Sequence, residues 1–106
     1  MDVIDRQLAA YNAHDAVAFA ECYSEDVVVE DPRGTVLMRG RDTLRTEYDT
    51  FFREYPAVRG DVRYRSTIGD YVIDDEEILG WQDAPVRAVA VYHVTDDVID
   101  HVRLYE

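Results

Sequence analysis

The sequence predicts an α+β fold, three N-terminal helices packed on one face of a curved antiparallel sheet. Two patterns carry that prediction. Up to Pro56 the apolar residues recur mainly every three or four positions, and beyond it they alternate with polar residues between turn signals. A length of 106 residues sets the scale, a single domain over 1–106 with room for one core.

The elements follow in order. Ile4, Leu8 and Tyr11 share a helical face within Asp2–Tyr11, where Asp2 is placed to cap the start and to pair with Arg6. Asn12-Ala-His-Asp15 interrupts that face, and Asp15 suits the N-cap of a second helix in which Phe19, Cys22 and Tyr23 fall together. Val27-Val-Val29 is short and β-branched, between Ser24-Glu-Asp26 and Asp31-Pro-Arg-Gly34, and reads as a strand running into a turn. Alternation puts Val27, Val29 and Asp31 on one of its faces, Val28 and Glu30 on the other. Val36-Leu-Met38 is the next short strand. From Arg41 to Tyr55 the stripe of Leu44, Tyr48, Phe51, Phe52 and Tyr55 marks a third helix, with Arg45 and Asp49 paired outside and Pro56 as the stop.

The remainder is strand-like. Val62, Tyr64 and Ser66 alternate with arginines, Gly69-Asp70 turns the chain, and Tyr71–Leu79 returns. Gly80–Pro85 is a loop, and Val86–Thr95 with Val98–Tyr105 forms a last hairpin about Asp96-Asp97. The acidic run Asp74-Asp-Glu-Glu77 reads as a solvated edge, one acid of each alternating pair being able to face inward between Ile73 and Ile78. Arg87–Val94 is apolar on both faces, which predicts a second subunit on the outer face of the sheet, a homodimer.

Charge and composition exclude several partners. A net charge of −12, with all eleven basic residues arginine, opposes binding to nucleic acid or to an anionic membrane. No apolar run spans a bilayer and the charged MDVIDRQL start is unlike a secretory signal, so a cytoplasmic location is expected. Cys22, the only cysteine, has no internal partner. His14, His93 and His101 have no metal-ligand spacing, so neither metal nor cofactor is expected.

Helix order, Tyr11-Asn-Ala-His-Asp15, the strand Val27 to Asp31 with its Pro32-Arg-Gly34 turn, the Gly40-Arg41 helix start and the closing hairpin together resemble the nuclear transport factor 2-like superfamily. The closest likeness within it is to SnoaL-like and ketosteroid-isomerase-like proteins. That resemblance implies a cystatin-like cone with a pocket between helices and sheet. It also implies that Asp31, in an Asp-Pro-x-Gly turn, is a general base, with Tyr23 and Tyr48 in the pocket wall. The tyrosine and protonated aspartic acid of the ketosteroid isomerase oxyanion hole would fall near Gln7 and Ala90. Losing one such donor typically costs ~10²–10³ in rate, so steroid isomerisation is not expected.

For Asp31 two readings stay open, a pocket base among Val27, Val29, Tyr48 and Phe52, or ordinary turn chemistry before a proline. Tyr23, Tyr48, Phe52 and Tyr92 are the expected ligand-binding residues, and the same stripe is compatible with plain core. The expected function is binding of a small, largely apolar molecule, with Asp31 as base for isomerisation or dehydration if the protein is an enzyme. The alternative is a non-catalytic binding or dimeric association module whose pocket is filled by its own side chains.

Overall fold

A computed structural model describes residues 1–106. Helices α1 (Val3–Asn12) and α2 (Ala16–Glu21) precede strands β1 (Tyr23–Glu30) and β2 (Val36–Arg39); helix α3 (Arg41–Glu54) follows. Strands β3 (Arg59–Ile68), β4 (Tyr71–Leu79), β5 (Val86–Thr95) and β6 (Val98–Tyr105) complete the chain. The three helices pack on one side of a six-stranded sheet in the order β2-β1-β6-β5-β4-β3. Every neighbouring pair is antiparallel except β1 and β6, which run parallel.

Local chemistry sets the helix ends. The Asp2 carboxylate accepts from the Asp5 amide at 2.9 Å and that of Asp15 from the Ala18 amide at 3.0 Å, each satisfying an orphan N–H of a first turn. Between α1 and α2, His14 turns the chain with a φ of 56°. Its ring stacks on Phe52 at 4.9 Å, with Nε2 2.7 Å from the Val58 carbonyl, so this residue joins the helical hairpin to α3 and the start of β3. Asn12 does similar work by bonding both the amide and the carbonyl of Gly60.

Several expectations need correction. Tyr23 opens β1 instead of closing α2, because the helix stops at Glu21 and Cys22 caps it. Ser24-Glu-Asp26 accordingly lies in the strand. Arg6 pairs with Asp97, not Asp2; Asp49 takes Arg53, while Arg45 approaches Asp42. The acidic run is no edge, since β4 lies between β3 and β5 and the sheet edges are β2 and β3.

Register breaks in β1, in β3 between Val62 and Tyr64, and in β5 between His93 and Val94 bend the sheet around the helices. Two buried clusters form beneath it. One gathers Ile4, Phe19, Val27, Leu44 and Ile99; the other gathers Ala16, Phe52, Val58, Ile78 and Ala88. Tyr11 and Tyr48 touch both, so these two rings span the gap between the clusters.

Gly80, at the end of β4, has φ +73°, and a Cβ there would lie 2.1 Å from the Ala57 carbonyl oxygen. Gly80→Ala therefore combines left-handed strain with a backbone clash and should lower unfolding stability by roughly 3 kcal/mol or more. A urea midpoint equal to that of the parent chain would contradict this.

Candidate functional site

The curvature leaves a cavity of about 530 Å³ between the helices and the concave face of the sheet. Alternation explains its wall. Residues of even number on β4 and β5 point inward, so Glu76 and Ile78 lie beside Ala88 and Tyr92, with Glu76 directly opposite Ala88. From above, Gln7 and Tyr11 on α1, Phe19 on α2 and Tyr48 and Phe51 on α3 complete it. Trp81, in the loop after β4, closes one side against Phe51 at 5.8 Å.

A short polar chain crosses the buried end. The Tyr23 hydroxyl donates to Gln7 Oε1 at 3.1 Å, and Gln7 Nε2 donates to the Tyr92 hydroxyl at 3.3 Å. Gln7, 4% exposed, is thus a bridge between two tyrosines, and the Tyr92 proton stays free to donate. The Tyr11 and Tyr48 hydroxyls make no hydrogen bond within the protein, and no fully buried polar side-chain atom lacks a partner, so both open into the cavity. Burial raises the pKa of all four tyrosines, keeping them neutral donors.

Two inward acids behave differently. Asp74 is fully buried, and its two oxygens receive Arg65 Nε at 2.6 Å and Nη2 at 3.0 Å; Arg65 Nη1 reaches Asp5 on α1 at 2.6 Å. Glu76, next inward on the same strand, has no such partner. Desolvation first, and then the Asp74 charge, push its carboxyl up to about 7, against the weaker opposing pull of Arg65. Their outward neighbours Asp75 and Glu77 are paired with Arg87 and Arg63 on the far side of the sheet.

The expected site residues fall in three places. Tyr23, Tyr48 and Tyr92 line the cavity. Phe52 does not, being buried behind it in the second cluster. Asp31 does not line it either; its Oδ1 accepts from the amides of Arg33 at 2.8 Å and Thr35 at 2.9 Å, closing the turn that Gly34 completes. Of the two readings of Asp31, the geometry is that of the turn, because the β1 strand ends at Glu30 and the carboxylate accepts from the amides that follow. Ala90 stands directly across from Asp74, so an acid does occur at that level of the sheet, but one strand over and ion-paired.

The SnoaL-like domain family matches residues 4–102 of this sequence. The chain belongs to that family. Among solved structures, this SnoaL-like chain is similar to an uncharacterised cystatin-fold protein from Novosphingobium aromaticivorans, with 23% identity and a TM-score of 0.89 over 98% of this chain and 95% of the other. It is similar to a putative polyketide cyclase from Sinorhizobium meliloti, at 17% identity and 0.84 over 97% and 93%. A third likeness is to a protein with a ketosteroid isomerase-like fold from Catenulispora acidiphila, solved in complex with trimethylamine, at 14% identity and 0.81 over 98% and 84%. No curated protein matches significantly. At these identities the likenesses establish the NTF2-like fold, and function must be argued from the cavity. No three His, Cys, Asp or Glu side chains are grouped to hold a metal ion, and no helix is long and apolar enough to cross a membrane.

Because the folded-state pKa of Glu76 is raised, the folded protein holds its proton more tightly than the unfolded chain does. That contribution to stability is complete below about 4.5 and lost as pH rises through about 7. Glu76→Gln should therefore stabilise the protein by about 3 kcal/mol at pH 8, the difference vanishing toward pH 4. Paired thermal melts across that range check it, and parallel profiles would contradict it.

Proposed function

We propose that this SnoaL-like chain binds a small, largely apolar molecule in the cavity, with Tyr23, Tyr48 and Tyr92 in contact with it and Glu76 as its one half-buried acid. What carries this reading is the space itself. A core of 106 residues that packs to ordinary density has no use for an unfilled 530 Å³, and pockets of this size with mostly apolar walls and a few convergent polar groups take small ligands. The same space argues against the alternative of a pocket filled by its own side chains.

A second reading, proton transfer on the bound molecule, is favoured by one observation. A carboxyl pushed up to about 7 exchanges protons near neutral pH at little cost, the property a cofactor-independent isomerase or dehydratase needs. In that reading Glu76, not Asp31, moves the proton, and the free Tyr11 and Tyr48 hydroxyls stabilise the developing oxyanion. The resulting rate would follow the ionisation of Glu76.

Trp81, the only tryptophan, reports occupancy directly. Titration with a neutral apolar compound such as indane should change its emission saturably, and Ala88→Leu, which extends a side chain into the cavity, should weaken binding at least about tenfold. A flat titration of the parent chain, by emission and by calorimetry, with indane and with charged benzyl compounds alike, would rule the binding reading out.

We further propose a homodimer through the outer sheet face. Tyr64, Ile68, Tyr71 and Tyr105 are exposed there beside half-buried Val89 and Val91. In a chain of −12 this face is electrically balanced, since Arg63, Arg87 and Arg103 pair with Glu77, Asp75 and Glu30. A second copy thus meets little repulsion. Light scattering at micromolar concentration should give twice the 12.3 kDa chain mass, and a monomer would overturn the proposal.

A further inference from the structure

We propose that the molecule taken by the cavity is an organic cation, a protonated or quaternary amine on an apolar body. This rests on the binding reading above and adds the charge of the ligand.

The charge around the space is of one sign. Glu47, Glu54, Glu76 and Glu106 belong to its wall, and none of the eleven arginines or three histidines does. A carboxylate or phosphate entering there would meet only like charge, in surroundings where desolvation magnifies the repulsion. Arg65, the cation that acts on Glu76, offers no anchor, because Asp74 and Asp5 already occupy its guanidinium.

The apolar surface is largely aromatic. The rings of Tyr11, Phe19, Tyr48, Phe51 and Trp81 form much of it, in tilted and edge-on arrangements such as Phe19 against Tyr48 at 4.6 Å. Aromatic faces are negative and attract ammonium groups, most strongly where water is excluded. A neutral hydrocarbon would use these walls and leave Glu76 with no partner. A cation with an apolar body uses both.

Occupancy then changes the proton count. The groups acting on Glu76 are Asp74 and Asp75 on its own strand, Arg65 on β3 and Glu106 beyond β6. It acts in turn on Tyr11 of α1, Tyr23 of β1, Tyr48 of α3 and Tyr92 of β5. All of these neighbours except Arg65 are acidic or neutral, so an ammonium group brings the missing positive charge. Glu76 ionises as the cation enters, and one proton leaves to solvent.

The test uses three probes that share a benzyl group, followed by calorimetry and Trp81 emission: benzyltrimethylammonium, its neutral isostere neopentylbenzene, and phenylacetate. The cation carries a fixed charge, so any pH dependence belongs to the protein. Its affinity should exceed that of neopentylbenzene at pH 8.5 and fall about tenfold by pH 5.5, as Glu76 becomes harder to ionise. At pH 6 the binding heat should vary with buffer in the sense of proton release. Phenylacetate should not bind. Glu76→Gln should narrow the gap between cation and isostere and flatten the pH profile. If the neutral isostere binds as well as the cation, or cation binding ignores both pH and Glu76→Gln, the amine assignment falls and the binding reading stands. If no probe binds at any pH, both fall.

Discussion

The Asp74 carboxyl group has none of its surface exposed, and the Arg65 guanidinium that grips it also reaches Asp5 on α1. A carboxylate so placed survives only with a geometrically matched partner, since removal of either member leaves an uncompensated buried charge. Much else is positioned through this triad. It ties β4 to β3 and both to the helix that carries Gln7 and Tyr11, so the roof of the cavity is fastened to its floor at one point. It also supplies the field in which Glu76 sits, because the paired Asp74 still opposes ionisation of its neighbour.

Much of the architecture was legible because its signals are local. Asp2 and Asp15 before apolar periodicity, Pro56 after it and alternation beyond are chemistry that acts within a few residues. The errors lie where a distant part of the chain decides. Tyr23 has helical spacing from Phe19, yet pairing with Ile99 draws it into the sheet. Arg6 had Asp2 one turn away and instead found Asp97 across the fold.

The site was legible in part for the same reason. Three of the four aromatic residues expected in the pocket line it, as amphipathic spacing and strand alternation imply. Asp31 does not follow Val27 and Val29 inward because strand alternation does not extend through a turn: beyond Glu30 the backbone bends and the carboxylate accepts from the Arg33 and Thr35 amides. Glu76 was hidden among four consecutive acids. The signal that separates them is Ile78, whose inward position on β4 carries Glu76 and Asp74 with it. What sequence could not supply was the order of strands, which turns an apparent solvated edge into the middle of a sheet.

The parallel contact of β1 with β6 gives this molecule a sequence of assembly. Glu30 and His101, joined across that contact, are 71 residues apart. Strands β3 to β6 can form as a meander of neighbouring hairpins, each closing a short loop. The β1–β2 hairpin, by contrast, stays outside the sheet until β6 is in place, and closing so long a segment is entropically late. The chamber, whose wall includes Val29 of β1, Met38 of β2 and Val102 and Leu104 of β6, is complete only once that contact has closed, and a chain halted before β6 lacks that side of it.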